Sequence, residues 1–182
     1  MDFGTNIIQT EPESATNIFW QTLRAAKLAK TPYIAIAEDD TLYPREHFHA
    51  FRPPLDTFAY NQNRWGILSW TKEPLYYLVH NFMSHMTMIA PTKLAVEALE
   101  ERFDKALDIT KGGELGKEWM EIKMGVTPRK STTFFGYKPV LFFQHPFAID
   151  PLNKAQKKRA SPIRAYDIPV WGKADAMIKN FR

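Results

Sequence analysis

The 182-residue chain contains no cysteine, which excludes disulfides and thiolate metal sites and fits a reducing compartment. No apolar run approaches the roughly 20 residues needed to span a bilayer, so no transmembrane segment is expected. The opening residues, Met1-Asp2-Phe3-Gly4-Thr5, lack a basic stretch followed by an apolar one. No secretory signal is expected there, and the sequence reads as cytoplasmic. There is no internal repeat and no low-complexity segment. The glycine pair Gly112-Gly113 is not followed by the Gly-Lys-Ser or Gly-Lys-Thr of a phosphate-binding P-loop.

What is present suits one folded domain with a small appendage. The length allows a sizeable core, and 45% hydrophobic residues exclude disorder over most of the chain. The net charge of +4 is concentrated late, at Lys154, Lys157, Lys158, Arg159 and Arg164. Such a patch suits phosphates, nucleic acid or an anionic surface, or is simply a solvated basic face. We divide the chain into a core over residues 1–150 and a basic tail or lid over 151–182.

The most informative stretch is Tyr33-Ile34-Ala35-Ile36-Ala37-Glu38-Asp39-Asp40. Its β-branched alternation, Ile34 and Ile36, reads as a buried strand. Three carboxylates close it. Strand ends in α/β sheets face the crevice where ligands bind. Three adjacent acids repel one another unless a cation sits among them, and a hard divalent ion with oxygen ligands is the usual one. The plainer reading is a solvated exit from strand to turn.

Around this stretch the patterns alternate between strand and helix. Residues 3–9 suit a short strand. Residues 15–30 suit a helix with Ile18, Phe19, Leu23, Ala26 and Leu28 inward, capped by Ser14 or Thr16 and stopped by Thr31-Pro32. Together with the Tyr33 strand they would form a βαβ unit if the strands are parallel. Residues 41–63, rich in proline and aromatics, read as a helical turn or two and a long loop. His47 and His49 within it read as surface or packing residues. Strands are expected at 64–70, 75–79, 81–90 and 139–143. His80 and His85 read as core or edge residues. Residues 92–107 form an amphipathic helix with Leu94, Ala95, Ala98, Leu99 and Phe103 inward and Glu97, Glu100, Glu101, Arg102 and Lys105 outward.

The helix followed by Thr31-Pro32-Tyr33-Ile34-Ala35-Ile36-Ala37-Glu38-Asp39-Asp40-Thr41-Leu42-Tyr43-Pro44, then His47-Phe48, resembles the centre of a GT-A fold glycosyltransferase, in which such a strand ends in a DXD motif. The resemblance spans roughly residues 15–150. It implies an α/β fold, a GT-A-like mixed sheet flanked by helices. With only 32 residues before the Tyr33 strand, it also implies a chain lacking some of the usual N-terminal strand–helix units. It implies a nucleoside-diphosphate sugar donor and Mn²⁺ or Mg²⁺. Asp40 would be the metal ligand, Glu38 the ribose contact and Asp39 a supporting acid. If the reaction inverts, Glu114 or Glu118 would be the base that deprotonates an acceptor hydroxyl, the acceptor being glycan, lipid, protein or nucleic acid. His145 would be a further metal or phosphate ligand. Lys158 and Arg159 suit a lid over the diphosphate through charge-assisted hydrogen bonds, and Trp171 either stacks on a sugar or base or pins the last helix to the body. Two other classes stay open: a metal-dependent nuclease or nucleotidyltransferase, and a non-catalytic nucleic-acid-binding protein.

Overall fold

The computed structural model describes residues 4–68, 75–79, 83–106, 113–144, 163–164 and 167–181. Within these the fold is mixed α/β: two main sheets, a small two-stranded one, and helices packed against them. None of the described helices is long and apolar enough to cross a membrane.

Helix α1 (Ala15–Leu28) begins where the Ser14 hydroxyl accepts the Asn17 amide, satisfying one of the amides a helix start leaves unpaired. It stops at Ala29, whose backbone is extended, ahead of Pro32. Its buried stripe is Asn17, Phe19, Thr22, Leu23 and Ala26. Leu28, expected inside, is 55% exposed in the last turn. Residues 4–10 form no strand, contrary to expectation; among the described residues no segment pairs with them, and Ile8 stays exposed. The expected βαβ unit is therefore absent. Strand β1 (Tyr33–Ala35) instead runs antiparallel to the later strand Met88–Pro91.

After β1 the chain crosses to the second sheet as β2 (Thr41–Leu42), then makes one 3-10 turn at Arg45–Phe48. Strand β3 (Thr57–Asn61) lies where a loop was expected, and all five of its residues are buried. The prolines and asparagines on either side dominate the local composition, but Thr57-Phe58-Ala59-Tyr60 is itself a β-favouring run. β4 (Arg64–Leu68) and β5 (Leu75–Val79) follow as expected. The strand expected over 81–90 is shorter. A 3-10 turn at His85–Thr87 comes first, held by the Thr87 amide and hydroxyl on the Ser84 carbonyl, and only then β6 (Met88–Pro91). Local bonds of this kind compete with a ladder. Helix α2 (Thr92–Lys105) starts directly after Pro91.

In α2 the inward stripe is Ala95, Ala98, Leu99 and Arg102. Arg102, expected on the outer face, is fully buried. The spacing 95, 98, 99, 102 is the ordinary i, i+3, i+4, i+7 stripe, so geometry places it inside despite its charge. Helix α3 (Glu118–Met124) and strands β7 (Lys130–Phe134) and β8 (Val140–Gln144) follow. β9 (Ile163–Arg164) pairs with β5, and β10 (Asp167–Ile168) with β11 (Gly172–Lys173). Helix α4 (Ala174–Phe181) packs Ala174 and Ile178 with Ile67, Leu141, Phe143 and Ile168. The Trp171 indole donates to the Pro139 carbonyl at 2.9 Å, the pinning role foreseen for it.

The first sheet has the order β1-β6-β3-β7 and the second β2-β8-β4-β5-β9. Two chain segments cross from one sheet to the other side by side. β3 pairs parallel with β7, and their continuations β4 and β8 pair parallel again. The joint is fastened by Asn61 and Asn63. Asn61 Oδ1 accepts the amides of Asn63 and Gly136, each at 3.0 Å, and Asn63 Nδ2 donates to the Gly136 carbonyl at 2.7 Å. The main core lies between the first sheet and α1–α2, around Leu23, Phe58, Tyr60, Met88 and Leu99. Burying each large apolar side chain stabilises by about 1.5–3 kcal/mol.

Candidate active site: an acid cluster between the two sheets

The acidic triplet lies on the connection between β1 of the first sheet and β2 of the second. It is fixed at both ends. The Ile36 amide bonds the Met88 carbonyl, and the Phe143 amide bonds the Asp40 carbonyl at 2.9 Å. A turn links the Glu38 carbonyl to the Thr41 amide, and the Thr41 hydroxyl donates to Asp40 Oδ1 at 2.9 Å. Glu38 and Asp40 are half-buried, while Asp39 is exposed.

Glu114 comes to the same place from the other side of the chain. Its loop is over-determined. Arg102 donates to the carbonyls of Gly113 and Glu114 at 2.8 and 3.1 Å, and the Tyr60 hydroxyl to that of Leu115 at 2.7 Å. Glu121, fully buried, accepts from Arg102 at 3.2 Å, the Gly116 amide at 2.9 Å and the Arg129 amide at 2.8 Å. Gly116 has φ +76, and a Cβ there would stand 2.7 Å from that of Ser131, so the close approach requires glycine. Glu121 and Arg102 were not foreseen as site-forming; Arg102 continues the buried stripe of α2, whereas Glu121 is the one buried residue of α3 and no periodicity signals it.

The electrostatics join the two segments. The Glu38 carboxyl is raised from 4.5 to about 7, first by burial, then by the charges of Asp40, Glu114 and Asp39, with Arg64 opposing. Glu114 is also raised by burial, against the pull of Lys117, a hydrogen bond from the His85 amide, Arg64 and Arg102. One Glu114 oxygen, Oε2, is buried without a hydrogen-bond partner. Arg64, at the head of β4 and 3% exposed, is thus the common counter-charge of Glu38 and Glu114, and its guanidinium lies over the Phe142 ring. The sequence reading missed it because a charged residue before an apolar run resembles an ordinary strand boundary. His85, in the turn beside Glu114, is a core residue as expected. Its Nε2 meets the Thr22 hydroxyl at 2.8 Å, and burial lowers its imidazole to about 4.

The sequence-derived candidates therefore separate. Glu38, Asp40 and Glu114 converge. Glu118 is exposed and lines a different cavity of about 630 Å³ with Phe51, Thr57 and Lys130, away from the acids. His145, Lys158 and Arg159 lie outside the described residues, as does His80. His47 is a packing residue, ringed by Tyr43, Phe48 and Phe134, with its Nδ1 on Asn61. Among the described residues no group of three His, Asp or Glu side chains is arranged to hold a metal ion.

The raised Glu38 has a stability consequence. Its folded-state carboxyl titrates above its ordinary value, so its stabilising contribution is full below about pH 4.5 and is lost as pH rises through 7. With chelator present, unfolding free energy is expected to fall by on the order of 2 kcal/mol across that window. Glu38→Gln is expected to remove most of that slope in urea-denaturation series at pH 4.5 and pH 8. An unchanged slope would show that Glu38 is not the group held neutral.

Comparison of the chain with protein-family models, with curated proteins and with solved structures returns no match.

Proposed function

We propose that the chain carries the metal and donor site of a glycosyltransferase that moves a sugar from a nucleoside-diphosphate sugar to an acceptor hydroxyl. The observation that supports it best is the convergence of Glu38 and Asp40 with Glu114, from segments far apart in sequence, beside the buried cation Arg64 that acts on both glutamates. Carboxylates that raise one another's affinity for protons invite a cation, and all-oxygen donors suit a hard one. Mg²⁺ is commonly held by one or two carboxylates and completed by substrate phosphates rather than caged by protein. Asp40, an oxygen donor, fits that pattern; His145, carried over from the resemblance, would add a nitrogen ligand. When bound, the ion supplies neutralising charge to a diphosphate leaving group.

The chain's own groups have distinct tasks. Glu38 accepts a ribose hydroxyl, and Asp39 adds negative charge at the rim. Glu114 is the catalytic base. Its buried carboxylate, raised in proton affinity, takes the acceptor hydroxyl's proton as the acceptor oxygen bonds to the sugar carbon in an inverting transfer; the carbon–oxygen bond to the diphosphate breaks with its electron pair. Lys117, the His85 amide and Arg64 offset part of the burial that raises Glu114. Lys158 and Arg159, by their charge, suit the diphosphate. Glu118, on another surface, is the weaker candidate for the base.

The test is calorimetric titration of the full chain with a panel of nucleoside diphosphates, with and without Mn²⁺. One of them is expected to bind only with metal, and Asp40→Ala to weaken it by about 100-fold with the unfolding midpoint unchanged. Absence of binding by folded protein would overturn the reading. Metal-independent binding that falls steeply with salt would point instead to non-catalytic binding of nucleic acid.

A further inference from the structure

The β1–β6 ladder contains an insertion at the acid site. Tyr33, Ile34 and Ala35 pair with Pro91, Ala90 and Ile89, and the Ile36 amide bonds the Met88 carbonyl at 3.0 Å. Continuing that register sets Glu38 opposite Met86, where an antiparallel ladder would place its next bond, Glu38 amide to Met86 carbonyl. Instead, the Glu38 amide donates to the Tyr43 hydroxyl at 3.0 Å, and that hydroxyl donates to the Met86 carbonyl at 2.9 Å. A side-chain oxygen stands in the ladder where a direct bond would be.

The direction of both bonds is fixed. An amide can only donate and a carbonyl only accept, so the phenol must accept from one and donate to the other. Burial pushes the Tyr43 phenol upward, so it keeps the proton this bridge needs. The ring cannot swing away freely, being packed against His47 and Phe48 with centroids 5.3 and 5.4 Å distant. The far end of the bridge is equally firm. Met86 lies in the His85–Thr87 turn, which is tied to α1 through His85 and Thr22, and whose His85 amide is bonded to Glu114.

We propose that Tyr43 is a positioning residue of the acid site: its hydroxyl, wedged into the ladder between Glu38 and Met86, sets where the carboxylates of residues 38–40 stand relative to Glu114. The hydroxyl holds the end of β1 off β6 by the width of one oxygen. The chain can then turn outward at Glu38 with its amide still satisfied. The part of this inference that concerns ligand affinity rests on the glycosyltransferase reading; the part that concerns the ladder does not.

Tyr43→Phe in the full chain tests both, because it keeps the packed ring and deletes only the bridging oxygen. Two measurements are made after thermal unfolding has confirmed a folded variant. In amide hydrogen exchange, Glu38 is expected to exchange about tenfold faster or more while Ile36, bonded directly to Met88, keeps its protection. In calorimetry, Mn²⁺-dependent binding of the nucleoside diphosphate is expected to weaken by about 10- to 100-fold, the penalty of a site displaced by about an ångström. A merely structural tyrosine would lower the unfolding midpoint without separating Glu38 from Ile36 or altering affinity in folded protein. Unchanged exchange at Glu38 overturns the bridge, and unchanged affinity overturns the positioning role. Wild-type protein that binds none of the nucleotides overturns the function reading, and the exchange result then decides for or against Tyr43 by itself.

Discussion

Arg102→Met is expected to destabilise the protein by about 3–5 kcal/mol, because it leaves the Glu121 carboxylate buried without its charge partner. Both side chains are fully buried. The pair is more than a salt bridge. Arg102 also holds two carbonyls of the Glu114 loop, and Glu121 two backbone amides. Methionine replaces the guanidinium's bulk but none of its hydrogen bonds. The double variant Arg102→Met/Glu121→Gln is expected to recover part of the loss, since a neutral amide is far cheaper to leave buried than an unpaired charge. Urea denaturation of the four-member cycle measures both. A single-variant loss below about 1 kcal/mol would put this pair with ordinary surface ion pairs and remove the explanation for the fixed Glu114 loop.

Asn61→Ala should cost about 3 kcal/mol, from three polar groups deprived of a partner inside the protein at about 1–3 kcal/mol each, less relaxation. Asn61 is fully buried. Its oxygen serves the Asn63 and Gly136 amides, and its nitrogen meets His47 Nδ1 at 3.2 Å. The fit is tight on the far side as well, where a Cβ on Gly136 would stand 2.7 Å from Asn61 Nδ2. Losing the side chain loosens the joint through which β3 becomes β4, and Arg64 stands three residues further on. Thermal unfolding and urea denaturation report the loss. A change within about 0.5 kcal/mol, the scale of a surface substitution, would mean that water replaces the amide at no cost and that the joint is held by its backbone ladder.

How much of this was readable in advance depended on whether the information was local. Helices α1 and α2 were legible, with the Ser14 cap of α1 and most of each stripe, because 3.6-residue periodicity is local; Leu28 is the exception in α1. Arg102 was misassigned because its charge was weighed above its place in that periodicity. β3 was missed because its flanks read as loop, and only tertiary burial on both faces makes the Thr57 run a central strand. The acid triplet stood out as a candidate because three carboxylates ending an apolar run are chemically conspicuous. Its relation to Glu114 was half legible. The residue was named as a base, but nothing local says that a loop after α2 returns to the end of β1. Arg64 and Tyr43 were invisible as site residues, since each acts through a pairing that exists only once two distant segments are side by side.

The parallel partnership of residues 57–68 with residues 130–144 also has a temporal side. Parallel pairings between distant segments close large loops, and such contacts come late in assembly. Among the described residues β2 pairs with β8 alone, and the Asp40 carbonyl is held by the Phe143 amide. A nascent chain released residue by residue carries its acidic turn for roughly a hundred residues before the strand that anchors it exists. The hairpin of β4 and β5 can close early, whereas the acidic turn waits for β8 to slide in between β2 and β4. The acidic turn is therefore fixed only after most of the chain has been made.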